Sequence, residues 1–305
     1  MWSTAREIAA GDTVIIWLTR DVIQPLVITP GKDFNSKFGN YRHSDFIGMP
    51  FGSKVGSRSG KGFIHILRPT PELWTMALPH RTQILYIADI SFITSYLDIR
   101  RGSRVIEAGT GSGSFSHSVA RSIGPSGHLW SYEFHEVRAK KAREEFAQHG
   151  MSDIVTLTHQ NVCKDGFNLT DAADSVFLDL PAPWDAIEHA KQALRKDRTT
   201  RICCFSPCME QVLRTVSALN DAGFTGVLRV ALDKPNLTGL VHRYYNVRNA
   251  AAITRRGPGP RPPVRRGGPG QAQKSGGNPR NKTSPANRCR PKESREPPRR
   301  KTQTG

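Results

Sequence analysis

Cysteine is scarce in this sequence, and its spacing argues against two classes of protein. The 305 residues include five cysteines, an odd number without the framework spacing of a disulfide-rich secreted domain. Three of them, Cys203, Cys204 and Cys208, lie close together, but no second group of ligands matches them. We therefore expect no metal site, and we expect these three side chains to be buried as small hydrophobic groups.

Long hydrophobic runs are missing as well. No apolar stretch reaches the roughly 18 residues that a membrane-spanning helix needs, and the amino terminus has no signal-peptide core. The sequence thus predicts an intracellular protein without a membrane partner.

Acidic residues are few relative to basic ones. The chain has 26 Asp and Glu against 44 Lys and Arg, which gives a net charge of +18 and a pI near 10.2. This balance favours a polyanionic partner such as a nucleic acid. Residues 255–305 alone hold 15 Lys and Arg, two Glu, ten Pro and eight Gly. A segment so poor in apolar residues has little surface to bury, so we expect residues 251–305 to be a disordered tail.

A glycine-rich turn stands at the centre of the chain. The apolar strand Arg104 to Ala108 runs into three alternating glycines, Gly109, Gly111 and Gly113. The first two allow a sharp turn and close approach of a ligand to the backbone, and the third allows the next helix to pack against the strand. The spacing G-x-G-x-G differs from the G-x-G-x-x-G of NAD-binding proteins, and no P-loop lysine follows.

An acidic residue precedes this turn. Glu107 lies two residues before Gly109, and the order acidic-x-Gly-x-Gly-x-Gly resembles the first motif of Rossmann-like S-adenosylmethionine-dependent methyltransferases. S-adenosylmethionine carries an ammonium and a sulfonium, so a nearby carboxylate is electrostatically reasonable. The alternative is an ordinary tight turn in an α/β protein.

The chain divides into three parts. Residues 1–70 contain short β-branched runs and predict a small β-barrel-like module, either an RNA or subunit surface or a structural cap. Residues 71–250 begin with helical spacing and then alternate strands with helices, which predicts a parallel sheet covered on both faces. Two final strands are predicted near 225–231 and 241–248, as an antiparallel pair at the edge of this sheet. Residues 251–305 are the tail.

Polar residues follow three of the predicted strands, where α/β folds bind ligands. Glu133 ends the second strand and could accept both hydroxyls of a ribose, or could simply be exposed. Asn161 follows the third strand and could contact an adenine amino group, or could belong to a turn. For Trp74 and Tyr86, in the helical segment before the glycine turn, core packing is favoured over a place in the cofactor pocket.

Asp179 follows the fourth strand, in the sequence Asp-Leu-Pro-Ala-Pro-Trp. An acidic residue followed by prolines and an aromatic resembles the active-site motif of methyltransferases that act on amino or ring nitrogens. The prolines stiffen the turn, and the carboxylate can accept a hydrogen bond from the exocyclic amino group of adenine. Methylation of N1 puts positive charge on the ring, which a carboxylate stabilises or relieves by taking a proton. Trp184 could stack on a base or cap the next helix.

Several motifs together make a more specific resemblance. They are PELW at 71–74, PHRTQILY at 79–86, EAGTGSGSFS at 107–116, EFH at 133–135, FLDLPAPW at 177–184, FSPC at 205–208 and YNVR at 245–248. The chain resembles the catalytic subunits of the tRNA (adenine-N1)-methyltransferases that modify position 58 in the T-loop. The resemblance covers residues 10–250, and details such as FGSKV at 51–55 are similar to the eukaryotic form.

The resemblance implies a Rossmann-like class I methyltransferase fold, S-adenosylmethionine as cofactor and tRNA as substrate. It implies Asp179 as the catalytic residue, also touching the cofactor. Further cofactor contacts are implied at Leu85, Ser112, Gly113, Ser114, Glu133, Arg138, Asn161 and Val162, beside Glu107, Gly109 and Gly111 of the turn. Asn161 departs from the aspartate usual at its position.

The resemblance also implies a heterotetramer of two catalytic and two noncatalytic chains, whereas bacterial and archaeal relatives are homotetramers. We expect a nuclear protein, whose tail adds RNA affinity or directs nuclear import, or is only a solvated extension. Alternatives are methylation of another substrate, such as messenger RNA, mitochondrial tRNA or a protein side chain, and a noncatalytic RNA-binding subunit. A nicotinamide-linked dehydrogenase is disfavoured by the glycine spacing.

Overall fold

The computed structural model describes residues 1–78, 84–232 and 249–256 of the chain. These residues belong to one compact unit that spans Met1–Arg261. In the described ranges no helix is long and apolar enough to cross a membrane. The same ranges contain no group of three or more His, Cys, Asp or Glu side chains placed to hold a metal ion.

The amino-terminal residues fold into a small antiparallel sheet with a separate hairpin, as their β-branched runs predict. The strands are β1 (Thr13–Thr19), β2 (Val22–Val27), β3 (Asp33–Ser36), β4 (Gly39–Arg42), β5 (Ser53–Gly56) and β6 (Phe63–Leu67). The sheet has the order β2-β1-β6-β5, and β3 pairs with β4. Inward-facing residues of both pieces, among them Ile16, Tyr41 and Ile66, share one core. The β module is therefore an open sheet that the hairpin helps to cover.

Two helices lead from this module toward the glycine turn. They are α1 (Pro71–Ala77) and α2 (Ile87–Tyr96). Thr70 caps α1 by accepting a hydrogen bond from the backbone N–H of Leu73 at 3.2 Å, and proline occupies the first turn. Trp74 is buried, as the core-packing interpretation expects, and Tyr86 is half-buried directly before α2. Residues 79–83 of the PHRTQILY motif lie outside the described residues.

From residue 104 onward strands and helices alternate, as the sequence predicts. The elements are β7 (Arg104–Ala108), α3 (Ser114–Ile123), β8 (His128–Glu133), α4 (Glu136–Gln148), β9 (Val155–His159), α5 (Val162–Asp165), β10 (Ser175–Leu178), α6 (Ile187–Ala193), β11 (Thr200–Ser206), α7 (Met209–Asp221), β12 (Thr225–Leu232) and β13 (Asn249–Arg256). The seven strands form one sheet in the order β12-β13-β11-β10-β7-β8-β9. The five strands from β11 to β9 are parallel, which confirms the Rossmann-like α/β architecture.

The antiparallel pair at the edge is confirmed, but its second strand lies later than the sequence predicts. The predicted strand over 241–248 falls outside the described residues. The strand that pairs is β13, and it lies between β11 and β12, antiparallel to both. Because β13 continues to Arg256, residues 251–256 belong to the sheet and not to the tail.

The two faces of the large sheet carry separate cores, because successive side chains of each strand point to opposite faces. Val105, Phe177 and Cys203 pack with α2, α3 and α4 on one face. Residues next to them, such as Ile106 and Cys204, pack with α6 and α7 on the other face. Burial raises the pKa of the Cys204 thiol to about 12.

The expectation for the cysteines is confirmed in two cases and wrong in one. Cys203 and Cys204 are buried in the central strand β11, where their side chains fill space between strands and helices. Cys208 is exposed instead. It stands immediately before α7, past the end of the strand, and so lies beyond the reach of the core.

Candidate active site

The glycine turn lies at the carboxyl end of β7, in the middle of the parallel sheet. Gly109, Gly111 and Gly113 have φ angles of +94°, +53° and +75°, which side chains rarely adopt. A Cβ atom on Gly109 would lie 2.2 Å from the backbone oxygen of Asp179. Both the conformation and this contact require glycine at position 109. The turn therefore passes directly against the end of the neighbouring strand.

Asp179 follows β10, and the sheet brings it to this turn. Its backbone N–H donates to the carbonyl oxygen of Ala108 at 2.9 Å, continuing the pairing between β10 and β7. The residue is half-buried, and burial raises the pKa of its carboxyl to about 7. A carboxyl group with such a pKa can exchange a proton near neutral pH.

The residues after Asp179 form a braced turn. The carbonyl oxygen of Pro181 accepts a hydrogen bond from Gln211 of α7 at 2.9 Å. A short 3-10 helix then begins at Pro183. Trp184 packs against the core beneath it, and the guanidinium of Arg214 lies 5.4 Å from the centre of its ring. These contacts favour core packing of Trp184 over stacking on a base.

Glu107 is enclosed within the protein below the turn. Its Oε2 atom accepts hydrogen bonds from the hydroxyls of Ser116 at 2.6 Å and Ser131 at 2.7 Å. Burial is the main cause that raises the pKa of its carboxyl to about 8. The Thr110 and Ser131 hydroxyls lie 2.6 Å apart and extend the network into the turn. Glu107 thus ties the strand, the turn and α3 together.

Glu133 ends β8 and holds the turn from the other side. Its Oε2 atom accepts the backbone N–H of Gly111 at 3.0 Å, and its Oε1 atom accepts the N–H of His135 at 2.9 Å. Arg138 donates to Oε1 as well, with Nη2 at 2.8 Å. Burial opposes ionisation of Glu133, but the hydrogen bonds from Arg138, His135 and Gly111 outweigh it and lower the pKa of this carboxyl. Glu133 is buried and ionised, so the interpretation as an exposed residue is wrong.

Arg138 acts on this site through Glu133. Its position on the charged helix α4 alone predicts a solvated cation. The structure instead pairs it with Glu133, with both Nε and Nη2 directed at one carboxylate oxygen. That arrangement leaves Oε2 of Glu133 with one lone-pair position beyond the Gly111 contact.

Leu85, Ser112 and Ser114 surround the start of α3, and all three are buried. The Ser114 hydroxyl donates to the carbonyl oxygen of Leu85 at 2.9 Å. It also lies 2.7 Å from the Thr75 hydroxyl of α1. These contacts join both helices of the leading segment to the glycine turn.

Asn161 and Val162 lie at the carboxyl end of β9. The Asn161 side chain accepts the backbone N–H of Cys163 at 3.1 Å and caps α5, which supports the interpretation as a turn residue. Its amide NH₂ group is a separate donor that this contact does not use. Val162 is buried.

The structure places the predicted site residues around the turn or beside the strand ends next to it, except Arg138, which lies on α4 and pairs with Glu133. Sequence reasoning missed the hydroxyl groups of Ser116 and Ser131, which satisfy Glu107. A signal existed for Ser116, because it lies in the first turn of α3, directly after the glycine turn. No signal pointed to Ser131, which comes into range only through the pairing of β7 with β8.

Known proteins with similar sequences define the family. Residues 62–252, more than half of the chain, match the family described as the GCD14 subunit of the tRNA methyltransferase complex. A tRNA (adenine(58)-N(1))-methyltransferase catalytic subunit from Cryptococcus neoformans is 54% identical over 228 residues, covering 74% of this chain and 52% of the relative. The protein of that name from Schizosaccharomyces pombe is 46% identical and covers 73% of this chain and 63% of the relative. The chain thus spans between half and two thirds of the length of these relatives.

Solved structures agree on the architecture. An S-adenosylmethionine-dependent O-methyltransferase from Thermotoga maritima superposes with a TM-score of 0.71 at 27% identity, over 83% of this chain and 96% of that protein. The tRNA (m1A58) methyltransferase TrmI from Aquifex aeolicus superposes with a TM-score of 0.67 at 20% identity, over 82% of this chain and 98% of that protein. At that identity the second likeness shows the fold. With the sequence match over residues 62–252, the chain belongs to the family of GCD14 subunits of tRNA methyltransferase complexes.

Proposed function

We propose that this chain is the catalytic subunit of a methyltransferase that transfers a methyl group from S-adenosylmethionine to N1 of adenine 58 in tRNA. The names of its relatives support the substrate and the position. The observation that carries the proposal is the position of Asp179. This residue is half-buried directly against the glycine turn, and burial raises the pKa of its carboxyl to about 7.

The residues around the turn fit S-adenosylmethionine. When bound, this cofactor supplies a methyl group activated on a sulfonium. Gly109, Gly111 and Gly113 present backbone without side chains, so a ligand can approach closely. The free lone-pair position on Oε2 of Glu133 suits a ribose hydroxyl, and the Asn161 side-chain amide lies at the next strand end. These donors and acceptors match a nucleoside better than a phosphate, since the turn lacks a lysine.

Asp179 is suited to the chemistry at adenine. In its ionised form the carboxylate accepts a hydrogen bond from the exocyclic amino group and orients N1 for attack on the methyl carbon. Methylation makes the ring cationic, and the same carboxylate stabilises that charge or takes the amino proton. The braced Asp179–Trp184 turn keeps the carboxylate in place because its prolines limit backbone rotation.

The first prediction concerns the contribution of Glu133 to cofactor binding. A Glu133→Gln variant puts an amide NH₂ where an oxygen now accepts an N–H, so Arg138 or Gly111 loses its acceptor. Charge-assisted hydrogen bonds are each worth about 1.5–3 kcal/mol. We expect the Kd for S-adenosylmethionine, measured by isothermal titration calorimetry, to rise by about tenfold to a hundredfold.

The matched control is Glu136→Gln, an exposed carboxylate in the first turn of α4. It removes the same charge three residues away and should leave the Kd within about twofold, since an isolated exposed charge contributes little. Equal losses in both variants would show that net charge, and not the Glu133 contacts, governs binding.

The proposal is tested by mapping the methylated position. Unmodified tRNA is incubated with labelled S-adenosylmethionine and the chain, alone or with the candidate noncatalytic subunit, and reverse-transcription arrest locates the product. We expect an arrest at the T-loop adenine. Cofactor binding without transfer to tRNA in either setting would contradict the proposed substrate while leaving the fold unaffected.

The assembly and location are parts of the same proposal. We infer a heterotetramer with two noncatalytic subunits, supported by the description of the family as a complex subunit. Activity of the isolated chain in the assay would instead favour a homotetramer.

We also propose a nuclear protein, and a tail that binds RNA through its positive charge. The support for both is the composition of residues 257–305.

A further inference from the structure

A buried pair of histidines lies behind the glycine turn and takes no part in the contacts described above. His117 is in the first turns of α3, and His149 directly follows α4. The Nδ1 atom of His117 lies 2.6 Å from the carbonyl oxygen of Gly113, and its Nε2 atom lies 2.8 Å from Nδ1 of His149. Both side chains are at most 1% exposed. The pair therefore joins the end of α4 to the last glycine of the turn.

With both rings neutral, the contacts fix which nitrogen atoms carry hydrogen. A carbonyl oxygen only accepts, so Nδ1 of His117 must donate to Gly113. In a neutral ring Nε2 of His117 is then an acceptor, and Nδ1 of His149 must be its donor. The hydrogen bonds thus run in one direction, from His149 through His117 to Gly113. Reversing either ring would leave two donors or two acceptors facing each other.

This chain of hydrogen bonds sets the orientation of a peptide group in the turn. The Gly113 oxygen accepts both the side chain of His117 and its backbone N–H, at 2.6 and 3.1 Å. In a planar trans peptide the C=O of Gly113 and the N–H of Ser114 point in opposite directions. Holding the oxygen against His117 therefore turns the Ser114 N–H outward, at the start of α3. The first N–H groups of a helix have no carbonyl partner within it and are available to a ligand.

Aromatic rings enclose the pair. The ring of Trp2 stacks on His117 with 5.2 Å between centres and an interplanar angle of 20°, and Trp74 meets His149 edge-on at 4.5 Å. The backbone N–H of Trp2 donates to the carbonyl oxygen of His149 at 2.7 Å. Trp2 has a φ of +39°, a strained conformation for a side-chain residue, which these contacts hold in place. Burial lowers the pKa of His149 to about 4, so it is neutral at physiological pH.

We propose that His117 is a positioning residue for cofactor binding, with His149 setting its tautomer, and that together they hold the Gly113–Ser114 peptide group in the orientation that receives S-adenosylmethionine. The inference rests on the proposed cofactor. It does not depend on the tRNA substrate. His117 touches neither the cofactor nor the base in this arrangement, and acts through the backbone of the turn.

Three variants at position 117 test the inference. In His117→Asn the amide nitrogen replaces Nδ1 and can still donate to Gly113. In His117→Gln the amide oxygen replaces Nε2 as the acceptor from His149, so the contact with His149 is kept and the one with Gly113 is lost. His117→Ala removes both. We expect the Kd for S-adenosylmethionine to stay within about threefold of wild type for the Asn variant and to rise at least about tenfold for Gln and Ala, as loss of a hydrogen bond to a site group would give.

The Asn and Gln variants both place an amide in the same apolar cluster, and each keeps one of the two contacts of His117, so a packing defect alone would affect them alike. At saturating cofactor we expect kcat within about threefold of wild type for every folded variant, because the catalytic groups are untouched. Equal losses of affinity for Asn and Gln, or unchanged affinity in Gln and Ala, would overturn the inference. Absence of cofactor binding by the wild-type chain would instead overturn the proposed function.

Discussion

Replacing Asp179 by asparagine should reduce methyl transfer to tRNA by about 10²–10⁴-fold, the usual contribution of a positioned acid or base. Asparagine keeps the size of the side chain and can be accommodated at the end of β10. It carries no negative charge to stabilise a cationic adenine ring and cannot take the amino proton. The affinity for S-adenosylmethionine should change much less, since the main contacts proposed for the cofactor lie on the glycine turn and on Glu133. Single-turnover rates with saturating cofactor measure the effect.

Asp185→Asn is the control for this substitution. It changes an exposed aspartate six residues later, in the short 3-10 helix of the same turn, and should leave the rate within about twofold. A rate for Asp179→Asn that is close to wild type would exclude Asp179 as the catalytic group. The fold and the family would stand, but the chemistry would have to be assigned to another side chain.

The same carboxyl should produce an acidic limb in the pH profile of kcat/KM. The pKa of Asp179 is raised to about 7 by burial, and the ionised form is the one that accepts a proton. As the pH falls below this value the ionised fraction decreases, so kcat/KM should fall by about tenfold per pH unit and recover above it. The limb should be missing in Asp179→Asn. If it persists there, Asp179 is not the titrating group, and Glu107, whose pKa burial raises to about 8, is the next carboxyl to substitute.

Substituting Gly109 by alanine should strongly destabilise the protein. The added Cβ would lie 2.2 Å from the Asp179 backbone oxygen, so one of the two strand ends must move. A φ of +94° costs an L-residue about 1–3 kcal/mol, and overpacking typically adds 1–3 kcal/mol. We expect the free energy of unfolding to fall by about 2–6 kcal/mol, the sum of the two costs. Cofactor affinity should fall with it, because the movement displaces both the turn and the catalytic carboxyl.

Gly31→Ala separates the conformational cost of a positive φ from the cost of the contact with Asp179. Gly31 has a φ of +83°, and no atom lies within 4 Å of the Cβ it would gain. It should therefore show only the conformational cost, and no change in the Kd for S-adenosylmethionine. Urea denaturation and calorimetry on both variants give the comparison. Equal destabilisation at positions 31 and 109 would mean that the contact with Asp179 relaxes without cost.

The order of strands and helices could be read from the sequence because it depends on local patterns. Apolar runs that alternate with amphipathic segments predicted β7 to α7, and the glycine spacing predicted the turn at the end of β7. Asp179 was found in the same way, since strand ends of a parallel sheet converge on one edge. These inferences need only the neighbours of each residue along the chain.

The arrangement inside the site could not be read in this way. Ser131 satisfies Glu107 from a different strand, and Arg138 is turned from solvent to Glu133 by the direction in which α4 leaves β8. The contact between His117 and His149 joins residues 32 positions apart. Each of these depends on register and packing, for which the sequence contains no local signal. The position of β13 was missed for a related reason, because a run of small residues such as Ala250 to Ala252 has low β-propensity and becomes a strand through its two partners.

The position of β13 has a practical consequence for anyone who removes the basic tail. Composition alone suggests a cut near residue 250, which would delete almost all of an interior strand. Strand β12 would then lose its neighbour, and β11 would become a sheet edge with unpaired backbone N–H and C=O groups. Such an edge recruits other chains, so the shortened protein would aggregate for reasons unrelated to RNA. A deletion that ends the chain after Arg256 keeps β13 between β11 and β12 and still removes the basic residues that follow.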